Sequence, residues 1–409
     1  MSSQDFVFSK FHDFYNDSCN KIPAPLSLDR REFAFLLLKE RIMIRHKGFL
    51  NIESTRRFLN ETVPSDVYYS CAYYENPELE MDKKGWLGAD LVFDIDADHI
   101  PTSCNKIHDE WVCKGCGFSG KGITPENCPI CTGQRFETKT WPCELCLTSA
   151  KEETGKVIDM LENDFGFAED EIRVFFSGHR GYHIHVETET AKSLDAMARK
   201  EIVDYVSGIG LTVLDKEQQD RSRRKTAMPR FALSNFGWNK RIKQGMQKFI
   251  QNATKDDLRS IGIKMNSENI LQNKNSILKR CLEENRWGSV KGVNIETWLK
   301  IAEHVRNIES AKIDTVVTTD THRLIRSTGT LHGKTGLKKI EFPPSALRDF
   351  NPFAESVAFK EGIAKVFISD APEFKLGEKA FGPYKKETVE LPTAAAILLI
   401  CKGRAEVTK

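Results

Sequence analysis

The chain has 409 residues, of which 40% are apolar and 29% charged, and its formal net charge is +2. This composition is ordinary for a globular protein, and the length exceeds what one hydrophobic core usually supports, so we expect two or three packed units. The apolar runs exclude a membrane-spanning class, because the longest late run, at 394–401, falls far short of the ~20 residues that a spanning helix needs.

The first 60 residues are predicted to be helical. Their apolar residues fall at spacings that suit one face of a helix, and the stripe runs through Phe33, Leu36, Leu37 and Phe49. Such a stripe favours a helix that packs one side against a core. We therefore expect a helical N-terminal segment ahead of the first strand.

Two aspartates two positions apart mark the segment 89–97. In a β-strand Asp94 and Asp96 project from one face, while Phe93, Ile95 and Ala97 pack behind them. Two adjacent carboxylates repel each other, and a bound Mg²⁺ or Mn²⁺ removes the conflict, as at sites of phosphate transfer. The alternative is a strand end with two solvated acids.

Cysteine spacing predicts a metal site between residues 113 and 131. Two Cys-x-x-Cys pairs, eleven residues apart, are typical of a tetrahedral zinc ribbon, and the four cysteines are Cys113, Cys116, Cys128 and Cys131. The alternative is a disulfide framework. It needs an oxidising compartment, and the first thirty residues lack the apolar segment of a secretory signal, so we favour zinc.

A second zinc site is predicted from the cysteines that the ribbon leaves over. Cys143 and Cys146 form a third knuckle, and Cys104 and His108 stand just after the Asp-x-Asp strand. Together they complete a Cys₃His set. The alternative is that the two cysteines are buried thiols and the histidine a surface residue. The isolated thiols are Cys19, Cys71, Cys281 and Cys401.

A helix at 149–164 and a turn at 165–167 precede a predicted hairpin at 171–186. On its second strand His183 and His185 point the same way, and the connecting turn carries Arg180 between two glycines. Glycine lets the backbone approach a ligand, and arginine presents a planar fork to phosphate oxygens, so the hairpin favours a triphosphate cradle. The alternative is an ordinary hairpin with satisfied histidines.

The block 194–306 is predicted to be rich in helices and strongly basic. Between residues 220 and 291 lie 17 Lys and Arg against 6 Asp and Glu, interleaved with the aromatic residues Phe231, Phe236, Trp238, Phe249 and Trp287. This composition, with helical spacing over 227–249, is typical of a surface that follows a nucleic-acid backbone. The alternative is a solvated helical face.

The segment 312–336 is predicted to return to the sheet. We expect a strand through Val317 that carries Asp314, then a short helix capped by Thr319 or Asp320 with Arg323 and Arg326 on one face. A basic loop with His332 and Lys334 follows. Beyond residue 343 the chain is rich in proline, and we expect this tail to wrap the core or dock a partner.

Together these segments closely resemble the small catalytic subunit of archaeal and eukaryotic DNA primases. The matching stretches are Asp-x-Asp at 91–96, Ser-Gly-x-Arg-Gly-x-His at 177–183, and Asp314 through Arg-Leu-x-Arg to Leu-His-Gly-Lys-Thr-Gly at 331–336. Motif order and spacing match across residues 5–350. The forms Gly-His-Arg-Gly-Tyr-His and Leu-His-Gly-Lys-Thr-Gly favour the archaeal branch.

The resemblance implies roles for individual residues. It implies that Asp94, Asp96 and Asp314 are catalytic and hold two Mg²⁺ or Mn²⁺ ions. The residues that it implies for nucleotide binding are Ser177, Gly178, His179, Arg180, His183, Arg323, Arg326, His332 and Lys334, and more weakly Glu32 and Arg45. Primase small subunits also carry a zinc knuckle beside the catalytic sheet with ligands split like those of the second zinc site, so the ribbon is an insertion in that loop.

The implied fold is α+β: a mixed or antiparallel catalytic sheet flanked by helices, with a zinc-binding insertion and a helical subdomain. The expected domains are a catalytic core at 1–103, 147–211 and 307–350, the insertion at 104–146, a basic helical subdomain at 212–306 and a tail at 351–409. The resemblance places the protein in the cytoplasm, at the nucleoid, if archaeal, and in the nucleus if eukaryotic.

The predicted function is template-directed synthesis of primers from nucleoside triphosphates on single-stranded DNA. Implied partners are a primase large subunit and, through it, a replication polymerase; no membrane is involved. The near alternative is a repair or translesion polymerase of the same superfamily. The distant alternative is a zinc-ribbon nucleic-acid-binding protein without catalysis.

Overall fold

The computed structural model describes residues 1–211, 236–264, 267–279 and 293–408. It contains two compact units. The first comprises Met1–Gly155, Ala168–Lys200 and Lys312–Lys409, and the second comprises Lys156–Phe167 and Glu201–Ala311. The architecture is α+β with several antiparallel sheets, which confirms the predicted class. Among the described helices we find none with the length and apolar character that a bilayer crossing requires.

Short strands and helices are interspersed along the whole described part of the chain. The strands are β1 Phe33–Leu37, β2 Met43–Lys47, β3 Pro64–Ser70, β4 Ala72–Tyr74, β5 Trp86–Ala89, β6 Leu91–Asp96, β7 Glu110–Cys113, β8 Ser119–Lys121, β9 Phe136–Lys139, β10 Ile172–Phe176, β11 Gly181–Val186, β12 Leu324–Arg326, β13 Ile340–Phe342, β14 Ile363–Ala371, β15 Phe374–Leu376, β16 Lys379–Phe381, β17 Tyr384–Pro392 and β18 Ala405–Val407. The helices are α1 Ser3–Ser18, α2 Ile52–Thr62, α3 Asn105–His108, α4 Glu144–Asn163, α5 Glu189–Lys192, α6 Ala196–Val206, α7 Gly237–Asn252, α8 Lys255–Ser260, α9 Ser267–Gln272, α10 Lys274–Ile277, α11 Ile295–Glu309, α12 Thr315–Thr319, α13 Pro352–Glu355 and α14 Thr393–Cys401.

One four-stranded antiparallel sheet carries the Asp-x-Asp motif, in the strand order β13-β10-β11-β6. The predicted Asp-x-Asp strand and the predicted hairpin are both confirmed. On β6 the side chains of Phe93 and Ile95 are fully buried, whereas those of Asp94 and Asp96 are partly exposed. The period-2 geometry of a strand thus anchors the apolar residues in the core and turns both carboxylates to the other face.

A second four-stranded sheet corrects the prediction that residues 1–60 are all helical. Helix α1 agrees with it, but 33–37 and 43–47 are strands in a sheet of order β12-β3-β1-β2. Strand β1 lies between two neighbours, and Phe33, Ala34 and Phe35 are all buried. A strand covered on both faces has a continuous apolar run instead of an alternating one, so its pattern resembles that of a buried helix.

The order of elements at 312–326 was also predicted wrongly. Residues 315–319 form helix α12, whose N-cap is Asp314, and residues 324–326 form strand β12. The run Thr-Val-Val-Thr-Thr has high strand propensity, but the Asp314 carboxylate accepts from the main-chain N–H of Val316 at 3.0 Å and starts a helix. Arg323 and Arg326 lie at the strand, which pairs with β3, and share no helical face.

The C-terminal part of the first unit is a folded layer. Strands β17, β14 and β18 form a three-stranded sheet, and residues 393–399 of helix α14 are all buried. The main-chain N–H of Val407 donates to the side chain of Ser3 in α1 at 2.9 Å. The tail therefore packs against the N-terminal helix of the same unit.

The second unit contains the described part of the basic region. Helix α7 overlaps the stretch 227–249 with predicted helical spacing and continues to Asn252. The indole of Trp238 is buried and donates to the main-chain oxygen of Tyr205 at 2.8 Å. Phe249 packs edge-on against His304 with ring centroids 5.0 Å apart. Both rings therefore serve internal packing. The prediction also names Phe231 and Trp287, which lie outside the described residues, as does Cys281.

Replacing Gly181 with alanine should destabilise the fold strongly. A Cβ there would overlap the carbonyl oxygen of Ile95 and lie 2.9 Å from Asp96 Cα, so β11 and β6 would have to move apart. We expect a loss of about 1–3 kcal/mol or more in the free energy of unfolding, measured by denaturant titration. As a control, Gly155→Ala in helix α4, where the nearest atom is 3.7 Å away, should gain up to about 1 kcal/mol. Equal stability of both variants would contradict the predicted clash.

Candidate active site and metal centres

Strand β6 holds two carboxylates in a crowded, poorly hydrated setting. Burial raises the pKa of Asp94 to about 7, and the charges of Asp96 and Asp314 add to the effect. Burial, then the charge of Asp98, raises the pKa of Asp96 to about 6. Two carboxylates that resist being ionised at the same time repel each other, and a bound divalent cation would relieve that repulsion. Their oxygen atoms are the ligand type that Mg²⁺ prefers. The residues therefore fit an Mg²⁺-type ion.

Asp314 reaches this strand from far along the chain. Its main-chain N–H donates to the carbonyl oxygen of Asp94 at 2.8 Å, and its side chain caps helix α12. Among the described residues, two groups of His, Cys, Asp or Glu side chains have all their ligand atoms within 4.8 Å of one another, and both consist mainly of cysteines. The three carboxylates do not form such a group, so they are neighbours that lie farther apart than those ligands. The structure thus brings the three predicted acids together.

His183 lies directly opposite Asp94 in the β11–β6 register, and its Nε2 is 3.5 Å from Asp94 Oδ1. Burial lowers the pKa of His183 well below its usual value, and the nearby charge of Lys339 lowers it further. The ring is therefore neutral. Its Nδ1 atom is buried and has no hydrogen-bond partner in the described structure. A buried ring nitrogen without a partner is a binding position for a ligand group.

The loop before β11 carries His179 and is held in shape by hydrogen bonds to the Ser177 hydroxyl. The Ser177 hydroxyl accepts from the main-chain N–H groups of His179 and Gly181, each at 3.3 Å. Gly178 has a φ of +85°, and a side chain there would contact His332 Cβ at 3.1 Å. The loop therefore packs closely on the basic loop 332–336, and the imidazoles of His179 and His332 stack with centroids 4.9 Å apart.

Arg326 and the basic loop line a cavity of about 330 Å³ together with a carboxylate that the sequence analysis missed. Asp66 on β3 forms an ion pair with Arg326 and accepts from the main-chain N–H of Gly333 at 3.1 Å. Burial would raise the pKa of Asp66, but Arg326 and His332 lower it to about 2. Lys334, whose main-chain N–H donates to His332 Nδ1 at 3.1 Å, lines the same cavity.

Arg180 is engaged in a way that the sequence analysis did not foresee. Its guanidinium is fully buried and donates to both carboxylate oxygens of Asp109, at 3.0 and 2.9 Å, while Asp98 lies 2.8 Å away. A third contact runs to Cys146 Sγ at 3.3 Å. Burial alone would lower the pKa of Arg180, but Asp98 and Asp109 raise it above its usual value. Binding of phosphate by Arg180 stays a prediction.

The weaker candidates lie in or near the neighbouring sheet. Arg45 Nε donates to the buried carboxylate of Glu32 at 3.1 Å, and Lys84 Nζ lies 3.2 Å from the same group. The charge of Arg323 opposes the rise in the pKa of Asp94, which places this arginine within electrostatic reach of the carboxylates. The nucleotide-binding roles of Glu32, Arg45 and Arg323 stay predictions.

The ribbon cysteines form the first of two groups that can hold a metal ion, and they are Cys113, Cys116, Cys128 and Cys131. The Sγ atoms of Cys113 and Cys131 are 3.5 Å apart, and those of Cys116 and Cys128 are 3.6 Å apart. A disulfide requires about 2.05 Å, whereas the edge of a tetrahedron with metal–sulfur bonds of about 2.3 Å is about 3.8 Å. The sulfur spacing therefore fits a shared metal ion and excludes a disulfide.

The second group confirms that the leftover ligands converge, and they are Cys104, His108, Cys143 and Cys146. Cys146 Sγ lies 3.3 Å from Cys104 Sγ and 3.6 Å from His108 Nε2. His108 Nδ1 donates to Asp109 Oδ1 at 2.7 Å, which orients the ring and leaves Nε2 free for a metal. Because Asp109 also binds Arg180, this group is joined to the loop before β11.

Comparison with known proteins gives a consistent result. The family model described as DNA primase small subunit matches residues 137–342. The DNA primase small subunit of Nitrosopumilus maritimus is 31% identical, with 98% of each chain covered. Those of Methanococcoides burtonii and Archaeoglobus fulgidus are 32% and 31% identical, each with 99% of both chains covered.

Each of the two metal-binding groups should lose its ion without affecting the other group. We expect Cys128→Ser to lose the ion of the ribbon alone and Cys146→Ser to lose the ion of the other group alone, because the two sets share no ligand. Metal-to-protein ratios from elemental analysis test this, with Cys19→Ser as a control that keeps both ions. Loss of both ions from either single variant would show that the groups are not separate sites.

Replacing Arg180 should lower the free energy of unfolding far more than replacing a surface arginine. Arg180→Met leaves the nearly buried carboxylate of Asp109 and the charge of Asp98 without their partner, so we expect a loss of about 3–5 kcal/mol in the free energy of unfolding. Arg30→Met is the control, since Arg30 is 49% exposed and its pair with Asp29, itself 54% exposed, should be worth about 1 kcal/mol or less. A loss for Arg180→Met no larger than for the control would refute the structural role.

Proposed function

The chain belongs to the DNA primase small subunit family, and from that membership we propose that it is a primase catalytic subunit that synthesises short primers from nucleoside triphosphates on single-stranded DNA. The observation that carries the proposal is the hydrogen bond from the main-chain N–H of Asp314 to the carbonyl oxygen of Asp94, at 2.8 Å. It brings Asp314 next to the strand that carries Asp94 and Asp96, and nucleotidyl transfer needs such acidic residues to hold its metal ions.

The carboxylates of Asp94, Asp96 and Asp314 would hold two Mg²⁺ or Mn²⁺ ions. Bound there, such ions lower the pKa of the attacking 3′-hydroxyl and neutralise charge on the leaving pyrophosphate. The raised pKa values of Asp94 and Asp96 support this assignment, because a carboxylate pair that resists double ionisation gains most from a divalent cation.

The chain's own cationic and polar groups position the triphosphate. Residues proposed for this are Ser177, Gly178, His179, Arg180, His183, Arg323, Arg326, His332 and Lys334, with Glu32 and Arg45 in a supporting role. His183 is neutral and its Nε2 faces the Asp94 carboxylate, so its buried, unpaired Nδ1 suits accepting a single hydrogen bond from a sugar hydroxyl. Arg326 is held by Asp66, which fixes the direction of its fork.

Both cysteine groups would hold Zn²⁺, since all-thiolate and thiolate–imidazole sets with this spacing favour that ion. We also propose the domain boundaries predicted from the sequence, a heterodimer with a primase large subunit, and contact through it with a replication polymerase. The proposed place of action is the nucleoid in the cytoplasm of an archaeon. A repair or translesion polymerase is not favoured, because the three archaeal relatives are all named as primases.

Removing one catalytic carboxylate should abolish synthesis without unfolding the protein. We expect Asp94→Asn, Asp96→Asn and Asp314→Asn each to lower the rate of primer formation at least about 10³-fold, because each removes a ligand of the ions that stabilise the transition state. The assay measures labelled products from nucleoside triphosphates on single-stranded DNA with Mg²⁺ or Mn²⁺, with and without the large subunit. Zinc content and thermal unfolding should stay unchanged.

Asp170→Asn provides the matched control, since this aspartate is exposed in the short turn before β10 and should leave the rate unchanged. Primer synthesis at the wild-type rate by the Asp94→Asn variant would overturn the proposed function. Template binding by the wild-type protein without any nucleotide incorporation would overturn it as well, and would favour a binding protein.

A further inference from the structure

Lys402 lies at the end of the buried C-terminal helix, in a position that the surrounding structure fixes. Its main-chain N–H donates to the carbonyl oxygen of Leu398 at 3.0 Å, and Gly403 follows with a φ of +66°. The main-chain N–H of Arg404 then donates to Leu399 at 2.9 Å and starts the path into β18. The helix therefore ends in a left-handed turn, and Lys402 is its last right-handed residue.

Helix α14 packs directly on the basic loop 332–336. Gly336 has a φ of +71°, and a Cβ at this position would lie only 2.5 Å from Ile397 Cγ2. The side chain of Ile397 is itself fully buried. Core packing of the helix thus determines where its C-terminal end lies, independently of any contact that Lys402 makes.

The ammonium group of Lys402 reaches into the cationic loops. Its Nζ lies 2.6 Å from Nε2 of His179, whose ring stacks on that of His332. Burial and the charge of Lys402 lower the pKa of His179 well below its usual value. The imidazole is therefore neutral, and Nε2 accepts a hydrogen bond from the ammonium.

The positive charges around Lys402 are only partly compensated. Burial, followed by the charges of Arg180 and Lys334, lowers the pKa of Lys402 to about 7. Asp98 opposes this effect, but it is already paired with Arg180. Arg180 is likewise neutralised, by Asp98 and Asp109. Neither Lys402 nor Lys334 forms an ion pair in the described part of the chain, so an anion that contacts both would offset their charge.

We propose that Lys402 binds the triphosphate of the incoming nucleotide, so that the C-terminal helix completes the phosphate site formed by loops 177–181 and 332–336. This inference rests on the proposed primase function. It assigns a nucleotide-binding role to a part of the chain in which the sequence motifs gave no functional signal. The competing explanation is that Lys402 only closes the helix end and supports His179.

Lys402→Met tests the proposal by comparing two ligands. We expect this variant to bind a nucleoside triphosphate about tenfold or more weakly, since it lacks one charge-assisted hydrogen bond to phosphate. Binding of the corresponding monophosphate should stay within about twofold of wild type. Equilibrium titration with Mg²⁺ present measures both, and in primer synthesis KM for the triphosphate should rise more than kcat falls.

Two further variants make the comparison specific. Lys402→Arg keeps the charge and should recover most of the affinity for the triphosphate. Lys379→Met removes an exposed lysine from the same C-terminal part of the chain and should leave both affinities unchanged. A purely structural Lys402 would change thermal stability in Lys402→Met without changing the preference for triphosphate over monophosphate.

A labelling experiment on the wild-type protein needs no substitution. An amine-reactive ester near neutral pH should acylate Lys402, and mass spectrometry then measures its modification with and without nucleotide. We expect the triphosphate to protect Lys402, the monophosphate not to, and Lys379 to react equally in all samples. This measurement decides the question if Lys402→Met does not fold.

The proposal is wrong if folded Lys402→Met binds the triphosphate like wild type, or if the triphosphate leaves labelling of Lys402 unchanged. Either result, with normal primer synthesis by wild type, leaves the proposed function intact. Protection of Lys402 by triphosphate in a protein that makes no primers would instead support the phosphate site and overturn the proposed function.

Discussion

The hydrogen bond between the main-chain N–H of Asp314 and the carbonyl oxygen of Asp94 is the constraint on which the site depends. It attaches the start of helix α12 to strand β6, so that the charge of Asp314 reaches the carboxylate of Asp94. Burial raises the pKa values of both Asp94 and Asp96, and the nearest charges add to the effect: those of Asp96 and Asp314 at Asp94, and that of Asp98 at Asp96. The protein tolerates this unfavourable arrangement because the rest of the sheet, with Phe93 and Ile95 fully buried, holds the strand in place.

Arg180 extends that constraint to the second metal group. Its buried guanidinium joins Asp98, two residues after strand β6, to Asp109 and to the thiol of Cys146, which belongs to the second group that can hold a metal ion. Asp109 in turn orients His108. A buried arginine with carboxylates on two sides is stable only while all partners stay in place, so the metal group, the hairpin loop and the strand end form one connected structure.

The proposed phosphate side of the site combines elements from distant parts of the chain. The loop before β11, the loop 332–336 and the end of helix α14 meet around the stacked rings of His179 and His332. Asp66 from β3 offsets the charge of Arg326, whereas Lys402 faces further cations. The difference is chemically meaningful: a neutralised arginine is a fixed hydrogen-bond donor, and an unneutralised lysine cluster attracts an anion.

The sequence by itself determined the features that depend on short spacing: the Asp-x-Asp strand, the hairpin, and the two cysteine sets. The Asp-x-Asp strand and each Cys-x-x-Cys pair are encoded within a few residues, where local geometry decides which side chains share a face, whereas the second cysteine set joins residues up to 42 positions apart. Only the tertiary structure decided that 33–37 is a strand and that 315–319 is a helix, because β1 is buried on both faces and the N-cap residue Asp314 is bonded through its main chain to Asp94 of β6. It alone paired Arg180 with Asp109, Arg326 with Asp66 and Lys402 with His179, which are 71, 260 and 223 residues apart. Partners at such separations leave no periodic signal, since folding of the intervening chain brings them together.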